Sequence, residues 1–163
     1  MIVILMGVSG SGKTTIGSLL AETIHAVFAD GDAYHSSQNK SKMAAGHALN
    51  DEDRLPWLET LNALLLGWVE HQQDAVLACS ALRDTYRQTL IRNLPEGSNV
   101  FVMLDGSKEL ITERLAERQG HYMNPNLLDS QLATLETPVS ALRVVNDRTP
   151  EAVVNDILKQ LAA

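Results

Sequence analysis

Two short polar segments near the start of the chain have residue types and spacings that suit phosphate chemistry. The first, GVSGSGKT at residues 7–14, fits the pattern G-x-x-x-x-G-K-[ST], in which glycines let backbone N–H groups surround phosphate oxygens. In such a loop Lys13 reaches the β- and γ-phosphates, and the hydroxyl of Thr14 can bind Mg²⁺. The segment therefore predicts binding of ATP with Mg²⁺. The predicted nucleotide ligands are Gly7, Val8, Ser9, Gly10, Ser11, Gly12, Lys13, Thr14 and Thr15.

The second segment, DGDAYH at residues 30–35, places two carboxylates one residue apart. An acid beside an acceptor hydroxyl can orient it and accept its proton, and a second acid can hold Mg²⁺ through its waters. In an extended backbone positions i and i+2 share a face, so both carboxylates would point into one cleft. We expect Asp32 to face the acceptor hydroxyl and Asp30 to lie on the metal side, although the reverse assignment stays open. The alternative is an Asp-Gly turn with solvated charges.

The hydrophobic pattern places both segments next to buried strands. Five apolar runs alternate with amphipathic segments, which predicts an α/β fold with a five-stranded parallel sheet flanked by helices. The predicted strands are 2–6, 26–30, 75–79, 100–104 and 142–146. The predicted helices cover about 16–24, 55–68, 82–93, 107–118, 127–135 and 150 onward, with irregular or short helical structure at 36–49. Asn50 is the predicted N-cap of the second of these helices, and Thr149, followed by Pro150, is that of the last. Such sheets bind ligands beyond the carboxyl ends of their strands, where DGDAYH also falls.

Composition narrows the class of protein. The 163 residues fit one domain spanning 1–163, and a formal net charge of −7 argues against a nucleic-acid partner. A single cysteine, Cys79, suits a reducing compartment, so we expect a cytoplasmic protein. The apolar N-terminal run is too short for a membrane span.

Other classes of phosphate-loop protein fit less well. A GTPase needs N-K-x-D, and the nearest stretch is NKSK at 39–42. An ATPase needs an acid after an apolar strand, and Asp105 has that position, but a cap near the next helix is the simpler interpretation. A small phosphotransferase, which holds an acceptor hydroxyl beside the γ-phosphate, is the favoured class.

Taken together, these motifs resemble those of the gluconokinases, small P-loop kinases related to shikimate and adenylate kinases. The resemblance covers nearly the whole chain and rests on MGVSGSGKTT, DGDAYH, KMAAGHALNDEDRLPWL, CSALRDTYR and RLAERQGHYMNPNLLDSQLATLETP. It implies ATP-dependent phosphorylation of D-gluconate to 6-phospho-D-gluconate with Mg²⁺, in a P-loop kinase fold with a mobile lid and as a homodimer. Two positions depart from the family pattern. The family often has proline where this chain has Ser36, and an acidic residue where it has Gln88. Neither change removes a group that the chemistry needs.

A sugar acid needs a cationic clamp and hydrogen-bonding side chains. Arg54 and Arg83 are the best partners for its carboxylate, because a guanidinium binds a carboxylate bidentately. Arg54 could instead only neutralise Asp51 or Glu52. His35 is expected to hydrogen-bond a sugar hydroxyl, with a packing or capping role as the alternative. Lys42 could also face the sugar acid, with a solvated lysine as the alternative, and the sequence leaves the role of Trp57 ambiguous.

The last candidates lie around the segment QGHYMNP, the predicted lid at about 119–127. Arg114 and Arg118 are spaced i, i+4 on one helix face. In related kinases the first arginine of such a pair, here Arg114, lies against the adenine, and the second, here Arg118, binds the transferring phosphates. His121 and Gln131 are expected to contact the acceptor, and the predicted catalytic residues are Lys13, Asp32 and Arg118. Two runner-up functions stay open: a kinase for another polyol acid or a nucleoside monophosphate, and a nucleotide-binding regulator without catalysis.

Overall fold

A sheet of five parallel strands forms the centre of the computed structural model, which describes residues 1–117 and 127–163. The strands are β1 (Ile2–Met6), β2 (Val27–Asp30), β3 (Ala75–Ala78), β4 (Asn99–Asp105) and β5 (Leu142–Val145). Their order across the sheet is β2-β3-β1-β4-β5, so β1 lies in the middle. Ile4 of β1 is in register with Leu77 on one side and Phe101 on the other. This confirms the predicted five-stranded parallel sheet, with strand ends that match the prediction or differ from it by one residue.

Helices cover both faces of the sheet. They are α1 (Lys13–Thr23), α2 (Ser37–Ala44), α3 (Asp51–Glu70), α4 (Asp84–Leu90), α5 (Lys108–Glu117), α6 (Leu127–Thr134) and α7 (Pro150–Ala162). A 3₁₀ turn, Gly31–Tyr34, follows β2. The segment 36–49, expected to be irregular or only briefly helical, contains the eight-residue α2, and the helix expected at 82–93 is shorter.

Alternation along β1 explains the two core layers. Ile2, Ile4 and Met6 pack in the layer of α3 and α4, and Val3 and Leu5 pack in the layer of α1 and α7. Successive side chains of a strand point to opposite faces, and both faces of this strand are covered. All five β1 side chains are therefore buried.

The sequence also predicted how two helices begin. Asn50 caps α3: its side chain accepts a hydrogen bond from the backbone N–H of Asp53, whose carboxylate accepts one from the N–H of Asn50. Thr149 caps α7, and Pro150 occupies its first turn. Both predicted caps are confirmed. No helix in the described ranges is long and apolar enough to cross a membrane.

The expected cap at Asp105 is wrong. Asp105 is the last residue of β4 and forms an ion pair with Arg143 at 2.6 Å. The backbone N–H of Leu110 in α5 donates instead to the hydroxyl of Ser107 at 3.2 Å, so Ser107 caps this helix. The predicted lid, 119–127, lies outside the described residues except for its last position, where α6 begins.

Candidate active site

The phosphate loop connects the end of β1 to the start of α1. Gly12 has a φ of +99°, and a Cβ at this position would lie 2.1 Å from the side-chain nitrogen of Asn146, so the backbone path requires glycine. The Lys13 ammonium group donates to the carbonyl oxygens of Gly7 and Val8, at 2.9 and 3.0 Å. Lys13 therefore lies over the loop, at the positive end of α1.

A second side chain holds this loop from the far side of the sheet. Asn146 follows β5, is only 5% exposed, and donates its amide hydrogen to the carbonyl of Ser11 at 2.8 Å. The backbone carbonyl oxygen of Asn146 accepts a hydrogen bond from the Arg114 guanidinium at 2.8 Å. Sequence reasoning missed Asn146, although its position at the carboxyl end of a predicted strand was the signal that could have found it.

The groove next to this loop has the lining that a nucleotide requires. Gly10, Gly12, Thr15, Arg114 and Arg148 contribute to its walls, with Asn146 between them. Among the described residues, the buried Ser11 hydroxyl and one guanidinium nitrogen of Arg114 have no hydrogen-bond partner. Unpaired buried polar groups are costly, so a ligand that hydrogen-bonds them is favoured here. The residues present therefore fit a phosphorylated ligand.

Thr14 and Asp30 lie side by side at the end of β2. The Thr14 hydroxyl donates to one carboxylate oxygen of Asp30 at 3.3 Å, and the other oxygen accepts from the N–H of Asp32 at 3.0 Å. Asp32 lies in the 3₁₀ turn rather than in an extension of the strand. The sequence argument that both carboxylates share one face of an extended backbone is therefore wrong, because Asp30 caps a turn that redirects Asp32.

The donor types at Thr14 and Asp30 fit Mg²⁺, which prefers oxygen ligands and keeps several waters. Among residues 1–117 and 127–163, no group of three or more His, Cys, Asp or Glu side chains could hold a metal by itself. Phosphate oxygens and water would have to complete the coordination. This is the usual situation for Mg²⁺ bound together with a nucleotide.

A pocket opens beside Lys13 and Asp32. His35, Arg54 and Trp57 contribute to its walls. The His35 ring stacks on the Trp57 ring, with centroids 4.0 Å apart and an interplanar angle of 18°. Trp57 is held in turn by a 2.8 Å hydrogen bond from its indole nitrogen to the carbonyl of Gly31. Trp57 was ambiguous from the sequence, and the structure places it in the site.

The electrostatics of this pocket favour a neutral histidine. Burial, followed by the positive charges of Arg54 and Lys40, lowers the pKa of His35 to about 4, while Asp30 opposes the shift. His35 is only 8% exposed. At neutral pH the ring is therefore uncharged, and Arg54 and Lys13 supply the positive charge of the pocket.

Arg54 is oriented by residues from two helices. Its guanidinium group donates to the Tyr86 hydroxyl at 2.9 Å, and its central carbon lies 5.1 Å from the centroid of the Tyr86 ring. Tyr86 donates in turn to Asp51 at 2.5 Å. Within the described part of the chain Arg54 forms no direct ion pair with Asp51 or Glu52, so the expected alternative of simple neutralisation is not what the geometry shows. Tyr86 was missed, because 32 residues separate it from Arg54.

Of the other residues predicted to bind the acceptor substrate, Gln131 lies in the pocket of Lys13 and Arg83 does not. Arg83 is exposed and lies in an adjoining open pocket with Arg54 and Tyr86, rather than in the pocket of Lys13. Gln131 lines the Lys13 pocket, and its side-chain oxygen accepts from the backbone N–H of Ser9 at 2.6 Å. Arg118 and His121 lie outside the described residues.

Comparison with known proteins gives consistent matches over nearly the full length. A family model described as shikimate kinase matches residues 9–162. A probable gluconokinase of Dictyostelium discoideum is 46% identical, over 86% of this chain and 72% of the relative. A probable gluconokinase of Xenopus tropicalis is 43% identical, over 96% of this chain and 91% of the relative. The crystal structure of a gluconokinase from Sinorhizobium meliloti superposes with a TM-score of 0.85 at 38% identity, covering 98% of this chain and 90% of that one.

Proposed function

Because this chain belongs to the gluconokinase family, we infer that it transfers the γ-phosphoryl group of ATP to D-gluconate and forms 6-phospho-D-gluconate. The observation that carries this inference is the shared pocket of Lys13 and Asp32. One cavity joins a phosphate-loop lysine and a carboxylate to His35 and Arg54. A kinase for a small hydroxylated anion requires this combination of groups.

The pocket suits gluconate in its chemistry, because cationic and hydrogen-bonding side chains line its walls. We propose that Arg54 binds the carboxylate, since its planar guanidinium is already oriented by Tyr86. His35 and Gln131 bind hydroxyl groups in this proposal. Arg83 lies further out, so its contribution is to attract the anion or to contact its far end.

The phosphate side is assigned to the loop and α1. Lys13 contacts the β- and γ-phosphates after leaving the carbonyls of Gly7 and Val8, and the loop N–H groups hold the phosphate oxygens. Arg114 lies in the nucleotide groove and is proposed to contact the adenine. For Arg118 and His121, which contact the transferring phosphate and the acceptor in this proposal, the support is the sequence pattern alone.

Thr14 and Asp30 would hold Mg²⁺, which supplies neutralisation of charge on the β- and γ-phosphate oxygens when it is bound. Asp30 is suited to this task because it already contacts the Thr14 hydroxyl. Asp32, displaced into the pocket by the 3₁₀ turn, accepts a hydrogen bond from the terminal hydroxyl of gluconate. As the oxygen attacks in line, Asp32 takes its proton. We further propose a cytoplasmic homodimer, for which the family resemblance is the support.

A substrate panel tests the function. The protein is incubated with ATP, Mg²⁺ and one of D-gluconate, shikimate, another hexonate or a nucleoside monophosphate, and ADP formation is measured. We expect efficient turnover with D-gluconate and a product whose ³¹P spectrum is that of a primary phosphate ester. Lys13→Met serves as the catalytic control. Preferred turnover of another acceptor would identify a different kinase, and ATP binding without turnover of any acceptor would indicate a regulator.

A further inference from the structure

The side-chain amide of Asn39, in α2, lies between the imidazole of His35 and the first turn of α3. Its nitrogen is 3.3 Å from Nδ1 of His35 and 2.9 Å from the backbone carbonyl oxygen of Asp53. We propose that Asn39 is a positioning residue that fixes His35 with its proton on Nε2, so that His35 donates a hydrogen bond to an oxygen of the acceptor substrate. The identity of that acceptor as gluconate rests on the function proposed above.

The Asp53 carbonyl determines which way the Asn39 amide faces. A carbonyl oxygen only accepts hydrogen bonds, so the Asn39 atom beside it must be the NH₂ group. That group carries two hydrogens, and the second is available to His35. The amide oxygen cannot take this position without placing two acceptors against each other.

The orientation of the amide then determines the tautomer of His35. Nδ1 faces an NH₂ group, so it must accept, and a neutral imidazole with an acceptor at Nδ1 carries its proton on Nε2. Among the described residues Nε2 has no hydrogen-bond partner, and His35 lines the pocket of Lys13. The donor of this ring is therefore left for a ligand in that pocket.

The surroundings keep this arrangement rigid. Asn39 is 7% exposed, and the His35 ring is stacked on Trp57. Asp53, whose carbonyl orients the amide, is fixed by the α3 capping box and by a 2.7 Å ion pair with Lys42. Lys42, which the sequence left as a possible contact to the sugar acid, has this structural partner instead.

Two further features agree with a neutral donor. Burial and nearby cations lower the pKa of His35, so the ring does not become a doubly protonated donor at neutral pH. Arg54 already supplies a positive charge to the same pocket. His35 thus selects for an oxygen with a lone pair, on a hydroxyl or a carboxylate, and a protonated amine in that place would be rejected.

The ¹⁵N NMR spectrum of histidine-labelled protein tests the tautomer without any substrate. At pH 8, above the lowered pKa of His35, we expect a protonated Nε2 and an unprotonated Nδ1. In Asn39→Asp the carboxylate can only accept, so the proton should move to Nδ1. A wild-type ring protonated on Nδ1, or the same tautomer in both proteins, would overturn the proposal.

Kinetics test the consequence for the acceptor. In Asn39→Asp we expect the KM for gluconate to rise about tenfold, the change that corresponds to one lost hydrogen bond, with the KM for ATP within about twofold. Ser36→Ala is the matched control, because the Ser36 hydroxyl caps the same helix at the N–H of Asn39 without touching His35. It should leave both the tautomer and the KM for gluconate unchanged. Equal effects of the two variants would show that Asn39 only supports α2.

Two more variants keep the test decisive. If Asn39→Asp does not fold, Asn39→Ala removes the donor without adding a charge, and a mixture of tautomers with an intermediate KM is expected. His35→Gln places an amide NH₂ near the position of Nε2, so it should retain most gluconate affinity and make Asn39→Asp silent in the double variant. If the tautomer is as expected but gluconate is not phosphorylated, the proposed substrate fails and the assignment of Asn39 stands.

Discussion

Replacing Asp32 by asparagine keeps the shape of the side chain and removes its basic oxygen. The substitution should leave the 3₁₀ turn intact, because the turn uses the backbone N–H of Asp32, which donates to the Asp30 carboxylate and is retained. The Asp32 side chain is half-buried and lines the pocket of Lys13. Any large loss of activity would therefore come from the chemistry.

The expected loss follows from the task assigned to the carboxylate. General-base assistance contributes about a hundredfold to ten-thousandfold, or roughly 3–5 kcal/mol of the activation barrier. A loose phosphoryl-transfer transition state deprotonates the nucleophile late, which places our expectation at the lower end of this range. We expect kcat of Asp32→Asn to fall about a hundredfold, with the Kd for ATP changed by less than about threefold, since the phosphate loop is untouched.

Asp30→Asn is the informative partner variant. Its side-chain oxygen can still accept from the N–H of Asp32, but the charge beside the Thr14 hydroxyl is lost. We expect this variant to need more Mg²⁺ for half-maximal activity, whereas Asp32→Asn should keep the wild-type Mg²⁺ dependence. Glu22→Gln, on the exposed surface of α1, controls for the loss of one carboxylate.

Stopped-flow or coupled assays of kcat, together with nucleotide titrations, decide between the roles. A kcat of Asp32→Asn within about threefold of wild type, far below the usual contribution of a general base, would refute its assignment as the base. A collapse of ATP affinity in this variant, with a normal Mg²⁺ requirement in Asp30→Asn, would mean that the two roles are reversed.

Four other outcomes are expected. Lys13→Met should abolish turnover and leave the unfolding transition unchanged, and near-normal turnover would contradict the role of the loop. Gly12→Ala should raise the Kd for nucleotide more than about tenfold because its Cβ collides with Asn146, whereas Gly97→Ala, also at positive φ but in open space, should not. Asn62→Leu should lower the free energy of unfolding in urea by about 1–3 kcal/mol, since it leaves two backbone carbonyls at the end of α4 without their donor. Folding lowers the pKa of His35 from 6.5 to about 4, so the unfolded chain binds a proton more readily than the folded protein between these pH values. As the pH falls from 6.5 to 4, the free energy of unfolding of wild type should therefore drop by up to about 3 kcal/mol relative to that of His35→Gln. A difference between the two proteins that does not change with pH would contradict this.

Features that depend on neighbouring residues could be predicted from the sequence. The phosphate loop, the five apolar strands and the caps at Asn50 and Thr149 are all encoded within a few residues of chain. Strand and helix periods, cap chemistry and glycine spacing act over that range. The same local information placed Lys13 and Thr14 just before a helix, which in the structure begins at Lys13, and DGDAYH at the end of a strand.

The orientation of Asp32 relative to Asp30 could not be predicted from the neighbouring residues alone. Both were correctly placed at the carboxyl end of a strand, but an extended backbone was assumed beyond it, and the structure has a 3₁₀ turn capped by Asp30 itself. The turn is favoured because the indole N–H of Trp57, from a different helix, donates a hydrogen bond to the Gly31 carbonyl oxygen. A pattern within six residues contains no information about that indole.

The sequence by itself therefore determined the kind of loop, the class of fold and the residue types available for catalysis. Tertiary structure decided which of them meet: the order β2-β3-β1-β4-β5 brings the ends of distant strands together, so Asn146 holds the loop at Ser11 across 135 residues. The tertiary structure also places Tyr86 in contact with Arg54. Arg83, one residue before α4, lies outside the pocket of Lys13. The physical reason is that hydrogen bonds and packing depend on distance in space, and only the folded sheet and its helices fix those distances.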